Sequence, residues 1–120
     1  VDADRIIRDF ADAWGRGDVD AIVDAFTDDA TYHNIPMAPL QGKAAIREFL
    51  VGFLGGSGIT FEIHHQLVAG NVVMNERTDT LTMGDRTIPL PVCGIFELTD
   101  DGKIANWRDY FDMGVFTAQS

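Results

Sequence analysis

The run Val72-Val73-Met74-Asn75-Glu76-Arg77-Thr78-Asp79-Thr80-Leu81 decides the fold. Its alternation reads as a strand, in which residues two apart share a face. One face then carries Val73, Asn75, Arg77, Asp79 and Leu81, an arginine and an aspartate among apolar neighbours. A second run, Ile104-Ala105-Asn106-Trp107-Arg108-Asp109-Tyr110-Phe111, places Trp107, Asp109 and Phe111 on one face. A carboxylate between two large aromatics turns into a core or a pocket, and buried charge has to be paired or neutralised. Arg77 and Asp79 are the natural partners for Asp109. Two carboxylates sharing one guanidinium form an acid/base pair.

Strands continue on both sides of these two runs. Ile59 to Val68 ends at Ala69-Gly70-Asn71, Val72 to Met83 at Gly84-Asp85, and Thr87 to Leu98 at Asp100-Asp101-Gly102. Short polar turns between successive strands call for an antiparallel meander. Pro89 and Pro91 cannot donate ladder hydrogen bonds, so their stretch is expected at an edge or a bulge. The first half reads as helix instead. Ile6, Ile7, Phe10, Ala11 and Trp14 follow helical spacing between Asp2 and Gly15, and Gly15 and Gly17 end that helix. Asp18 caps a second helix from Val19 to Phe26. Thr31 to Ile35 is a short extended piece closed by Pro36 and Pro39. Lys43 to Leu54 is a third helix, broken by Gly55, Gly56, Ser57 and Gly58. Helices first and a meander second define an α+β domain, and a strongly curved sheet over the helices would enclose a pocket.

The 120 residues, 46% of them hydrophobic, suit one domain over 1–120 with one core. No run reaches the roughly 18 apolar residues of a membrane span, and the start, Val-Asp-Ala-Asp-Arg, is charged helix material; the expected location is cytoplasmic. A net charge of −10, from 19 acidic and 9 basic residues, argues against nucleic acid, anionic membrane and anionic substrate as partners. The single Cys93 excludes an internal disulfide and, in the apolar run Val92-Cys93-Gly94-Ile95-Phe96, is expected to be a small buried side chain. His64 and His65 are expected on opposite faces of their strand, where they cannot pair as ligands. No Cys/His cluster or phosphate loop is present, so neither a metal nor a nucleotide cofactor is expected.

In Thr31-Tyr32-His33-Asn34, extended geometry puts Tyr32 and Asn34 on one side, with His33 facing away. A phenol and an amide can together hold a water or a substrate oxygen. Tyr32-x-Asn34-x-Pro36, Glu76-Arg77-x-Asp79 and Trp107-Arg108-Asp109-Tyr110-Phe111-Asp112, with Gly94-Ile95-Phe96-Glu97-Leu98-Thr99 and Gly102-Lys103-Ile104, resemble the limonene-1,2-epoxide hydrolase family from about Arg5 to Phe116. The resemblance implies an NTF2-like cone, in which N-terminal helices pack on a strongly curved, mixed but mostly antiparallel sheet around a pocket. Nuclear transport factor 2, the SnoaL-like cyclases and ketosteroid isomerase share that cone. It also implies a homodimer and a cofactor-free addition of water to an epoxide.

By position, the resemblance makes Asp109 the general base, with Tyr32 and Asn34 helping it fix the water. Asp79 becomes the acid that protonates the epoxide oxygen, and Arg77 the bridge between the carboxyls. A guanidinium fork can bind two carboxyl groups at once, while unequal surroundings keep one protonated and the other ionised. Water would be the direct nucleophile, leaving no ester on either aspartate. Arg108 and Asp112 should face away from Asp109 in surface or dimer ion pairs. Leu81, Leu90, Val92 and Phe111 are expected to wall the pocket, with Phe53 and Phe116 closing its ends for a small, mainly apolar epoxide. Phe53 and the Gly55–Gly58 stretch depart from the family pattern, which bears on the substrate more than on the reaction. Two other readings stand beside the hydrolase. One is a ketosteroid-isomerase-like or SnoaL-like isomerase or cyclase, which would put no label from ¹⁸O-water into a diol. The other is a non-catalytic binding module, whose ligand affinity would survive Asp109→Asn and Arg77→Ala.

Overall fold

The computed structural model describes residues 1–119. Its elements are α1 (Ala3–Arg16), α2 (Val19–Asp24), β1 (Phe26–Asn34), β2 (Leu40–Gln41), α3 (Lys43–Gly56), β3 (Gly58–Ala69), β4 (Val72–Met83), β5 (Arg86–Leu98), β6 (Ile104–Tyr110) and α4 (Met113–Gln119). Local chemistry sets the helix ends. Asp2 accepts from Arg5 N at 3.1 Å and Asp18 from Ala21 N at 3.1 Å, each satisfying an amide that a helix start leaves unpaired. Gly17, at φ 66°, closes α1 in the left-handed conformation that glycine adopts without steric cost. Gly15, expected as a stop, is helical.

β3 to β6 form the expected antiparallel meander. β1 returns parallel to β6, giving one curved, unclosed sheet in the order β2-β1-β6-β5-β4-β3. The helices cover its inner face. Phe10 and Trp14 of α1 meet Phe26, Tyr32, Phe96 and Trp107 in a buried aromatic core, with Tyr32 stacked on Trp107 at 4.2 Å and 8°. The expected α+β architecture and the mixed, mostly antiparallel sheet are therefore present.

Several expectations change. β1 begins at Phe26, where the second helix was expected to continue, because Phe26 pairs with Ile104 of β6. β2 and α4 are additions. Pro89 and Pro91 pair with β4, but β6 pairs with β5 only from Cys93 onward, so their other side is open as expected. Cys93 is exposed, not buried: strand alternation turns Val92 and Gly94 inward and Cys93 out. A bulge between Ile63 and His65 places two residues where one would fit, and both histidines face outward. His64 Nε2 meets Thr78 Oγ1 at 2.8 Å, and His65 Nδ1 meets Glu76 Oε1 at 2.9 Å. They share a face, and among the described residues no group of three or more His, Cys, Asp or Glu stands together as metal ligands. Arg108 pairs on the outer face with Glu97 at 2.7 Å, whereas Asp112 lies beyond β6 and accepts from Gly114 N at 2.8 Å.

Candidate active site

Strand register assembles the site. One row crosses five strands, from Gln66 through Asn75, Gly94 and Asp109 to Asn34. The neighbouring rows bring in Arg77 opposite Val92, Asp79 opposite Leu90, and Trp107 beside Tyr32. Adjacent rows and faces therefore converge without any loop being involved.

Arg77 is the hub, buried to 1% exposure. Its Nε and Nη2 donate to Asp79 Oδ1 and Oδ2 at 2.9 and 2.8 Å, and Nη2 also donates to Asp109 Oδ2 at 2.8 Å. Its Nη1 donates to Asn75 Oδ1 at 2.9 Å. The guanidinium carbon lies 4.6 Å from the Phe61 ring centre, so one face of the cation rests on an aromatic quadrupole. Asp109 completes its own shell with Trp107 Nε1, which donates to Oδ1 at 2.6 Å. Tyr32 Oη donates to Asn34 Oδ1 at 3.4 Å, and His33 turns away to Met37 O at 2.9 Å.

Burial and pairing pull these groups in opposite directions. Burial pushes the Asp109 carboxyl up to about 6, against the lowering effect of Arg77. Burial likewise raises Asp79, again opposed by Arg77. Burial pulls the guanidinium down, but the carboxylates, Asp109 foremost, outweigh it and hold Arg77 above its ordinary value. Tyr32 is raised by burial and then by Asp109, so its phenol stays protonated and can donate. One permanent cation thus faces two carboxyls whose environments favour retaining a proton.

Asp79, Asp109, Tyr32 and Asn34 open onto a cavity of about 250 Å³. All six residues expected in its wall are there: Phe53, Leu81, Leu90, Val92, Phe111 and Phe116. Sequence reasoning missed Trp14, Met37, Phe49, Ile59, Phe61 and Met113, which also line it. Trp14, Phe49 and Phe61 show helix or strand periodicity that fits a core equally well. Asn75 and Trp107 lie on faces already recognised, but their bonds to Arg77 and Asp109 depend on distances that alternation does not supply.

An open, curved sheet over helices, with a buried polar cluster at one end of an apolar cavity, defines an NTF2-like or SnoaL-like cone. Residues 1–119 match the limonene-1,2-epoxide hydrolase catalytic domain. The epoxide hydrolase EphG of Mycobacterium tuberculosis is 36% identical over 107 residues, spanning 89% of this chain and 71% of that protein. A solved structure of an M. tuberculosis LEH-like epoxide hydrolase superposes with a TM-score of 0.89 at 35% identity, covering 98% of this chain and 88% of the other. SalBIII, described as an epoxide hydrolase/cyclase-like enzyme in pyran ring formation, gives 0.85 at 26% identity, covering 92% and 91%. The chain belongs to the limonene-1,2-epoxide hydrolase family and is an enzyme of the epoxide hydrolase class.

Proposed function

We propose that this epoxide hydrolase adds water directly to a small, mainly apolar epoxide, giving a vicinal diol in one step without a cofactor or a covalent enzyme intermediate. The carrying observation is the position of two carboxyls on one guanidinium, beside a phenol and an amide, at the polar end of an otherwise apolar cavity. Tyr32, Asn34 and Asp109 hold the water. As its oxygen bonds to a ring carbon, Asp109 accepts its proton, the carbon–oxygen bond of the ring breaks, and Asp79 protonates the departing oxygen. One proton enters the cluster and one leaves. Arg77, bonded to both carboxyls, therefore faces the same total charge before and after, which limits reorganisation in a dry site. Solvent returns the proton from Asp109 to Asp79 after release. The two-pronged grip of Arg77 opposes protonation of Asp79, but burial outweighs it and raises the carboxyl, and an apolar substrate that displaces water deepens that burial and further favours the neutral acid.

At roughly 30 Å³ per water-sized group, about 250 Å³ admits a molecule of on the order of ten non-hydrogen atoms. The test is turnover of limonene oxide and styrene oxide in ¹⁸O-water. A single turnover should place one label in the diol and none in the protein, and Asp109→Asn should lower the rate by about 10²–10⁴-fold. Label in Asp79 or Asp109, or an undiminished rate in the variant, would refute the mechanism. Likeness to SalBIII supports a second reading, in which a hydroxyl of the substrate replaces water and closes a cyclic ether. A substrate that carries both a hydroxyl and an epoxide, converted to an unlabelled cyclic ether in ¹⁸O-water, would identify that outcome.

A homodimer is supported by the outer sheet face. Leu67, Met74, Ile95 and Arg108 form one cross-strand row, and Cys93 pairs with Tyr110 alongside. Leu67 is 71% exposed and Met74 43%, an apolar strip suited to a second copy. No helix among the described residues is long and apolar enough to cross a membrane. The exposed single thiol suits a reducing compartment and so supports a cytoplasmic location, which cell fractionation would test.

A further inference from the structure

Behind Arg77, on the side away from the cavity, a line of polar side chains runs to the first turn of α1. Asn75 Nδ2 donates to Gln66 Oε1 at 3.0 Å, and Gln66 Nε2 donates to Asp4 Oδ1 at 2.8 Å and to Asp4 O at 3.2 Å. Its two ends fix its direction. A guanidinium can only donate, whereas a carboxylate and a backbone carbonyl can only accept. Each amide between them must therefore turn its oxygen toward Arg77 and its nitrogen toward Asp4. Reversing either would set oxygen against oxygen or nitrogen against nitrogen.

The fold goes out of its way to place Gln66 there. Ile63 lies opposite Arg77, so strict alternation would turn residues 65 and 67 inward and Gln66 out. The bulge at His64 reverses that phase and sets Gln66 opposite Asn75. Asp4 is in turn held by Arg8, whose Nε donates to both carboxylate oxygens at 3.2 and 3.1 Å. The Gln66 bond and then Arg8 hold Asp4 below its ordinary value, so it remains an acceptor at neutral pH.

We propose that Asp4, Gln66 and Asn75 form a positioning relay that orients the Arg77 guanidinium and, through it, the carboxyl pair. None of the three touches substrate. Asn75 holds Nη1 from behind, which leaves Nη2 directed at the point where Asp79 and Asp109 meet. The relay rests on the reading of Arg77 as the bridge in epoxide opening, and it makes the seating of α1 a determinant of turnover.

The experiment uses the full chain with Gln66→Glu, Gln66→Leu, and each combined with Asp4→Asn. In Gln66→Glu, a second acceptor faces Asp4. The expected result is a fall in kcat of roughly tenfold, with KM within about twofold, as a displaced catalytic geometry would give. Adding Asp4→Asn supplies a donor facing the introduced carboxylate and should restore kcat to within about threefold of the unsubstituted enzyme. Gln66→Leu breaks the line without adding charge, and Asp4→Asn should not rescue it. The second readout is the ¹³C titration of the Asp109 carboxyl, which faces Tyr32 of β1 and Arg77 and Asp79 of β4. It should move upward in Gln66→Glu and Gln66→Leu and return in the Asp4→Asn/Gln66→Glu pair alone. This titration needs no substrate, so it tests the relay even if the hydrolase reading fails. Unchanged kcat and titration in Gln66→Glu, or equal rescue of Gln66→Leu, would overturn the proposal.

Discussion

Replacing Gly94 by alanine adds one methyl group at the point where the guanidinium needs space. Gly94 sits between Asn75 on β4 and Asp109 on β6, its backbone not in the positive-φ region, so the cost is steric. A Cβ there would fall within close overlap of Arg77 Nη1, 2.7 Å from Asp109 Oδ1 and 3.1 Å from Asn75 Oδ1. Ordinary contact begins near 3.4 Å, so Asp109 Oδ1 must retreat by about 0.7 Å and the guanidinium by more. Both are fixed by several hydrogen bonds and have little room. Overpacking of this kind costs about 1–3 kcal/mol of stability. Displacing a catalytic group by about 1 Å costs on the order of 10²-fold in rate. Gly94→Ala should therefore stay folded, with a lowered melting temperature, and lose about two orders of magnitude in kcat. Single-turnover diol formation beside thermal unfolding measures both. Full activity, with Arg77 still bridging Asp79 and Asp109 in a crystal structure of the variant, would refute the reasoning.

Activity and stability should have opposite pH trends between about 4 and 6. Asp109 is raised from 3.8 to about 6, so its contribution to stability is fully present below about pH 4 and is lost as pH rises through about 6. At 1.36 kcal/mol per pH unit this amounts to on the order of 3 kcal/mol, measurable by urea unfolding across the range. The base must be ionised, so kcat/KM should rise through the same interval. A profile flat from pH 4 to 7 would remove Asp109 from that role. Trp107→Phe keeps a ring against Tyr32 but deletes the donor to Asp109 Oδ1, so the acidic limb of the profile should move to higher pH. An unmoved limb would show that the indole N–H contributes nothing to the carboxylate. Met74→Glu places a charge in the exposed apolar strip and should convert a dimer to a monomer by light scattering; a wild-type monomer would exclude the assembly.

The parts of the site that were legible in the sequence lie within single strands. Alternation alone placed Arg77, Asp79 and Asp109 on inward faces, because a period of two survives any tertiary arrangement that covers one face. It failed where a partner elsewhere set the phase. Phe26 leaves the helical pattern for a pairing with Ile104, far away in sequence. The histidine bulge has no local marker, and it falsified the opposite-face expectation for His64 and His65. Cys93 was misread because its neighbours on both faces are apolar, which hid the alternation that exposes it. Tyr32 and Asn34 were legible as a same-side pair, yet their distance from Asp109 depends on the parallel pairing of β1 with β6. The motif resemblance supplied that long-range information.

The additional residue at His64 has a second effect on the opposite surface. The same reversal that turns Gln66 inward brings Leu67 outward, opposite Met74. Had the strand kept its frame, His65 would stand where the amide supports the cation, Leu67 would turn inward opposite Val73, and the exterior would lose the most exposed side chain of its hydrocarbon strip. A single inserted residue thus couples the chemistry of the interior to the stickiness of the exterior, and flattening the bulge with the sequence unchanged would disturb both at once.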